Sequence, residues 1–95
     1  MSLKEFAASI SEGFPGFPAC YIAILHTEEG WALEVEMDSG TIGGCWLMEF
    51  NDRNYEGTLA EARLEADRLD GMLKELGFAV YPTRETWETF CEGED

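Results

Sequence analysis

From Trp31 to Asp38 apolar and polar positions alternate, with Trp31, Leu33, Val35 and Met37 interleaved with Ala32, Glu34, Glu36 and Asp38. A period of two sends the first set to one face of a strand and the second to the other, so this stretch predicts a half-buried β-strand. Before it, Cys20 to Leu25 is almost wholly apolar and β-prone, which predicts a central strand covered on both faces. Glu28-Glu29-Gly30 and Asp38-Ser39-Gly40 supply the flanking turns, and Cys45 to Phe50 reads as a third strand. Gly43-Gly44 ahead of it points to a bulge or a close backbone approach. Three strands with short connections predict an antiparallel meander.

The helical signals lie on either side. Ser2-Leu3-Lys4-Glu5 is a capping box, and Leu3, Phe6, Ala7 and Ile10 follow at helical spacing, with Gly13 as a stop. Gly13 to Pro18 cannot continue a helix, because its two prolines restrict their neighbours. Phe14 and Phe17 are expected to pin this turn against the core; an exposed Phe-Pro docking motif is the alternative. Thr58-Leu59-Ala60-Glu61 is a second capping box. Leu59, Ala62, Ala66, Leu69, Leu73 and Leu76 then form an apolar stripe down one face, with Gly77 as the C-terminal stop. Arg63–Asp67 and Asp70–Lys74 stand at i,i+4 on its polar sides. Phe78 to Tyr81 predicts a short fourth strand ended by Pro82, Thr83 to Cys91 a short helix, and residues 92–95 a frayed acidic tail. The predicted order is α-β-β-β-α-β-α, one α+β domain over residues 1–95 with the long helix packed across the sheet.

Charge changes the picture. Twenty acidic residues against six basic give −14 over 95 residues, and no Lys or Arg stands between Glu5 and Asp52. The hydrophobic content of 45% excludes an acidic disordered tail. Nucleic acid and anionic membrane surfaces would repel such a chain, so a basic protein surface is the complementary partner. No apolar run approaches the roughly 20 residues of a membrane span, and Met1 to Gly13 has no signal-peptide h-region. Cys20, Cys45 and Cys91 are odd in number and widely spaced, which predicts buried, reduced thiols rather than disulfides or a zinc site. A cytoplasmic location follows from both.

Candidate chemistry is sparse. Asp38-Ser39-Gly40-Thr41 resembles the signature of aspartic proteases, which place two such aspartates face to face to share a proton. Those proteases are nearly all β, whereas here a long helix follows, so the hairpin-turn reading is preferred. His26, the only histidine, would need a nucleophile and an orienting group to act as a general base, and at a strand end beside Glu28-Glu29 it reads instead as a satisfied polar residue. Glu28, Glu29 and Asp52 match no cation-binding loop, and no phosphate-binding glycine motif is present. No catalysis, metal or cofactor is expected.

The acidic strand has two explanations. Carboxylates belong on the wet face of an edge strand, where they deter aggregation. Alternatively, Glu34 and Glu36, about 7 Å apart along a strand, approximate the spacing of phosphates on a nucleic-acid strand. Glu28, Glu29, Asp38 and Glu49 would extend that field, making these six the expected partner-binding residues. In size, charge, thiol content and lack of catalytic motifs the whole chain resembles the class of small acidic phage-encoded inhibitors, the anti-CRISPR and nucleic-acid-mimic proteins. The resemblance is one of class and transfers no individual residue. It implies a non-enzymatic inhibitor in the host cytoplasm, seated in a nucleic-acid-binding groove of a bacterial defence complex. The alternative is a small assembly protein that oligomerises through its sheet or its Phe-Pro segment.

Overall fold

The computed structural model describes residues 2–49 and 55–86. Its elements are α1 (Leu3–Gly13), β1 (Cys20–His26), β2 (Gly30–Met37), β3 (Ile42–Glu49), α2 (Tyr55–Leu76) and β4 (Val80–Thr86). The fold is α+β, as expected, with β1, β2 and β3 forming the antiparallel meander. β4 joins parallel to β1, giving a mixed sheet of order β3-β2-β1-β4.

Both helices cover the same face of this sheet. The stripe of α2 buries Ala62, Ala66, Leu69 and Leu73 in one core with Ile22, Ile24, Trp31, Leu33, Val35 and Met37. α1 contributes Leu3, Phe6, Ala7 and Ile10. It settles closely on β3 because Gly44 offers no side chain there: a Cβ would meet Ile10 at 2.9 Å and Phe6 at 3.0 Å. The Phe6 ring instead packs on Trp46, 5.4 Å between centroids. Gly43 supplies the anticipated bulge, since the register shifts from Val35↔Gly44 to Glu36↔Ile42.

The helix ends behave as their sequences dictate. Ser2 Oγ accepts from Glu5 N–H at 3.1 Å while Ser2 N–H donates to Glu5 Oε1 at 2.8 Å, a complete capping box. At the other end of the helical layer, Gly77 has φ +120°. Its N–H reaches Lys74 O at 3.1 Å, and Phe78 N–H reaches Leu73 O at 3.0 Å, the Schellman pattern. Phe78 turns back into the core, and Phe17 meets its ring edge-on at 5.1 Å. With Phe14 partly buried against the core, both aromatics anchor the 13–18 segment as predicted.

Several expectations are corrected. β1 lies between two strands, but the helices cover only one of its faces; Tyr21 and Leu25 on the other are half-buried. Residues Thr83 to Thr86 are strand, not helix, and β4 passes through Pro82 rather than ending there. The register with β1 slips between Tyr21↔Tyr81 and Ala23↔Arg84. That bulge on an edge strand accommodates a residue without an N–H. The rest of the predicted third helix, Cys91 and the 92–95 tail lie outside the described residues. α2 begins at Tyr55, so Thr58 to Glu61 is helix interior rather than a capping box. Arg63 leaves Asp67 for Glu85 of β4, a two-pronged ion pair at 2.8 and 3.0 Å. Asp70–Lys74 forms at 3.2 Å. Among the described residues no helix is long and apolar enough to cross a membrane.

Leu69 is fully buried while Leu64 on the same helix is 55% exposed. Leu69→Ala is expected to cost about 2–5 kcal/mol, and Leu64→Ala to change stability by less than about 0.5 kcal/mol, by urea unfolding.

Glycines provide a second pair. A Cβ at Gly30 would collide with the carbonyl oxygen of Met48 and lie 2.7 Å from Glu49 Cα, whereas one at Gly71 meets nothing. Gly30→Ala should lower stability by about 1–3 kcal/mol through backbone displacement. Gly71→Ala should raise it by roughly 0.5–1 kcal/mol by restricting the unfolded chain and favouring helix. Thermal melts of the two variants check both signs.

Candidate functional site

Burial of Trp31, Leu33, Val35 and Met37 beneath the helices turns Glu34 and Glu36 to the opposite, open face. Register defines that face as rows crossing the strands. One row runs Tyr81, Tyr21, Glu36, Ile42; the next runs Arg84, Ala23, Glu34, Cys45; a third carries Leu25, Ala32 and Leu47. Ala23 and Ala32 are buried by their taller neighbours. Tyr81, Ile42 and Leu47 are 49%, 48% and 44% exposed, so the carboxylates stand within an apolar and aromatic field.

Glu34 and Glu36 are only half-buried and do not project separately into water. Glu36 lies close enough to bear on the Glu34 carboxyl, so the two act as neighbours rather than as independent groups. Burial, first, and then the charge and hydrogen bond of Glu36 hold the Glu34 carboxyl above the usual carboxylate range. Interaction with Glu36, ahead of burial, is the main reason the Tyr21 pKa rises. Cys45 lies one strand over from Glu34, and partial desolvation of its sulfur, then the Glu34 charge, pushes its thiol up although the residue is exposed overall.

Two further expectations change here. β2 is an interior strand, so guarding a sheet edge does not account for Glu34 and Glu36. The face also holds a cation: the Arg84 guanidinium lies 4.3 Å from the centroid of the Tyr21 ring.

The other four expected site residues are not gathered with this pair. Glu28 and Glu29 are exposed in the β1–β2 turn, which is built on Thr27: its Oγ1 accepts from Gly30 N–H at 3.0 Å and donates to Gly30 O at 2.7 Å. Glu49 pairs with Gly30 and so sits at that end. Asp38 occupies the opposite turn, where Gly40 takes φ +91° and donates to Met37 O at 2.9 Å. The eight residues of β2 therefore separate these groups by about 25 Å. The turn geometry supports the hairpin reading of Asp38-Ser39-Gly40.

Sequence reading missed Tyr21, Tyr81, Arg84, Cys45 and Leu47 as members of the same face. Treating β1 as covered on both sides hid Tyr21, and treating 83–91 as helix hid Arg84. Cys20 and Cys45 are free thiols, but only Cys20 is buried; Cys45 is exposed, contrary to expectation. Among the described residues no cluster of His, Cys, Asp and Glu is suited to a metal. A groove of about 470 Å³ between α1 and α2, lined by Ala7, Ala8, Met72 and Leu76, contains none of the six acidic site residues. No family model matches the chain, and no curated protein or solved structure matches it.

The raised Glu34 pKa has a definite sign for stability. Between the unfolded and folded pKa values the native state binds the extra proton, so stability falls as pH rises through that window. Glu34→Gln is therefore expected to raise the melting temperature at pH 7, and to lose that advantage as pH drops below the ordinary carboxylate range. Melts from pH 3.5 to 8 check the crossover.

Proposed function

We propose that this chain is a non-enzymatic acidic binding protein that blocks a basic, nucleic-acid-handling protein, as anti-CRISPR-type phage inhibitors do in the host cytoplasm. The observation that carries this reading is the placement of Glu34 and Glu36 in the middle of the sheet face that neither described helix covers, on an interior strand where edge protection explains nothing. A chain of net charge −14 adds a field that accelerates encounter with a cationic partner. Neighbouring Glu34 and Glu36 offer the partner a central anionic pair, with Asp38 at one end of the strand and Glu28, Glu29 and Glu49 at the other.

Exposed Tyr81, Ile42 and Leu47 favour a second reading, self-assembly through the same face. It is the weaker one, because stacking two copies would bring like-charged carboxylate pairs together.

Competition with target DNA for purified CRISPR effector complexes tests the proposal. Wild-type chain is expected to displace DNA, with an association rate that falls roughly tenfold or more from low to physiological salt. Glu34→Lys with Glu36→Lys should abolish displacement. Glu12→Lys with Asp67→Lys adds the same two charges per residue and should have little effect. Equal loss in both double variants reduces the interaction to general acidity, and no displacement by wild type refutes the function.

A further inference from the structure

We propose that the open sheet face receives an arginine of its partner, with the guanidinium seated across the Glu34–Glu36 pair beside the Tyr21 ring. This inference rests on the binding-protein reading above and specifies the chemistry that the face selects.

Three features of the face converge on a guanidinium. Glu34 and Glu36 stand two residues apart on one strand, half-buried on the same face, presenting several acceptor oxygens in a small area. A planar group with five fixed donors can bridge two carboxyls, whereas an ammonium acts as a point charge. Tyr21, the cross-strand partner of Glu36, already has the guanidinium of Arg84 at 4.3 Å from its ring centroid. The surface thus shows in its own sequence that it accommodates this group by ring stacking. Exposed Tyr81 and Ile42 share the row of Glu36, and exposed Leu47 lies one row beyond Glu34. Such side chains would shield a central ion pair from water when a partner closes over them.

Charge complementarity decides among occupants. A second copy would bring another −14 and an identical carboxylate pair. Nucleic acid and an anionic bilayer are repelled for the same reason. Among the described residues Arg84 is the sole cation on the face, and it is engaged at Tyr21 rather than with the carboxyl pair by any ion pair shorter than 4.0 Å. A second guanidinium, from a basic protein, is the occupant that the pair can hold.

Octa-arginine and octa-lysine peptides are the probes, titrated calorimetrically into the full chain at physiological salt. Octa-arginine is expected to bind roughly tenfold tighter than octa-lysine despite equal charge. E34Q/E36Q should bring the two affinities to within about twofold, whereas E28Q/E29Q should weaken both peptides alike and keep their ratio. Amide shifts on adding octa-arginine should centre on Tyr21, Ala23, Glu34, Glu36 and Cys45. This mapping uses the wild-type chain and holds even if a variant misfolds. Equal affinities in wild type, a ratio unchanged in E34Q/E36Q, or shifts centred on the Glu28–Glu29 turn or on α2 would each overturn the inference. Failure here with intact DNA displacement leaves the binding-protein reading standing; loss of DNA displacement removes that reading as well.

Discussion

Burial of alternate β2 side chains beneath α2 is the interaction on which the rest of the molecule depends. Trp31, Leu33, Val35 and Met37 share one core with Leu69 and Leu73, and α1 joins that core through Phe6 and Ile10 above Gly44. Because side chains on a strand alternate, committing these four positions to the core commits Glu34 and Glu36 to the other face. A register slip of one residue would bury the carboxylates and expose the core, so the acidic face is as strongly specified as the hydrophobic one.

Parallel addition of β4 to β1 determines what that face becomes. Without it, β1 would be an edge; with it, β1 and β2 are both interior, and the Glu34–Glu36 pair occupies the centre of a four-stranded surface. The bulge that lets β4 pass Pro82 also sets its later side chains. Arg84 falls on the open face over Tyr21, and Glu85 falls on the helical side, where Arg63 grips it in two places. One strand therefore ties the sheet edge to α2 and places a guanidinium beside the carboxylates.

Charge is not balanced on either side of the sheet. On the helical side Arg63, Arg68 and Lys74 pair with Glu85, Glu65 and Asp70, and Glu56, Glu61, Asp67 and Glu75 leave α2 acidic beyond them. These pairs are exposed, so each adds little stability. The sheet carries Arg84 against Glu34 and Glu36 on its open face. Its two sides also titrate with opposite consequences: Arg63 lowers the Glu85 pKa, so protonating Glu85 weakens the fold, whereas protonating Glu34 relieves a cost.

The sequence by itself determined the elements whose signals are local: the Ser2–Glu5 capping box, the stripe from Ala62 to Leu73, the Gly77 stop, the alternation of β2 and the bulge at Gly43. Each depends on spacing within a few residues, and spacing is what a sequence displays. It also determined that the charge is excessive and that Glu34 and Glu36 share a face. Only the tertiary structure decided where β4 docks, that one face of the sheet stays open, and which residues stand beside the carboxylates. Phe78 to Tyr81 announces the start of β4, but Pro82 hides its continuation, and Thr83 to Thr86 becomes strand because the free edge of β1 satisfies its backbone groups. Tyr21, Glu36 and Tyr81 meet across three strands from distant parts of the chain, and cross-strand register follows from pairing that local periodicity does not encode.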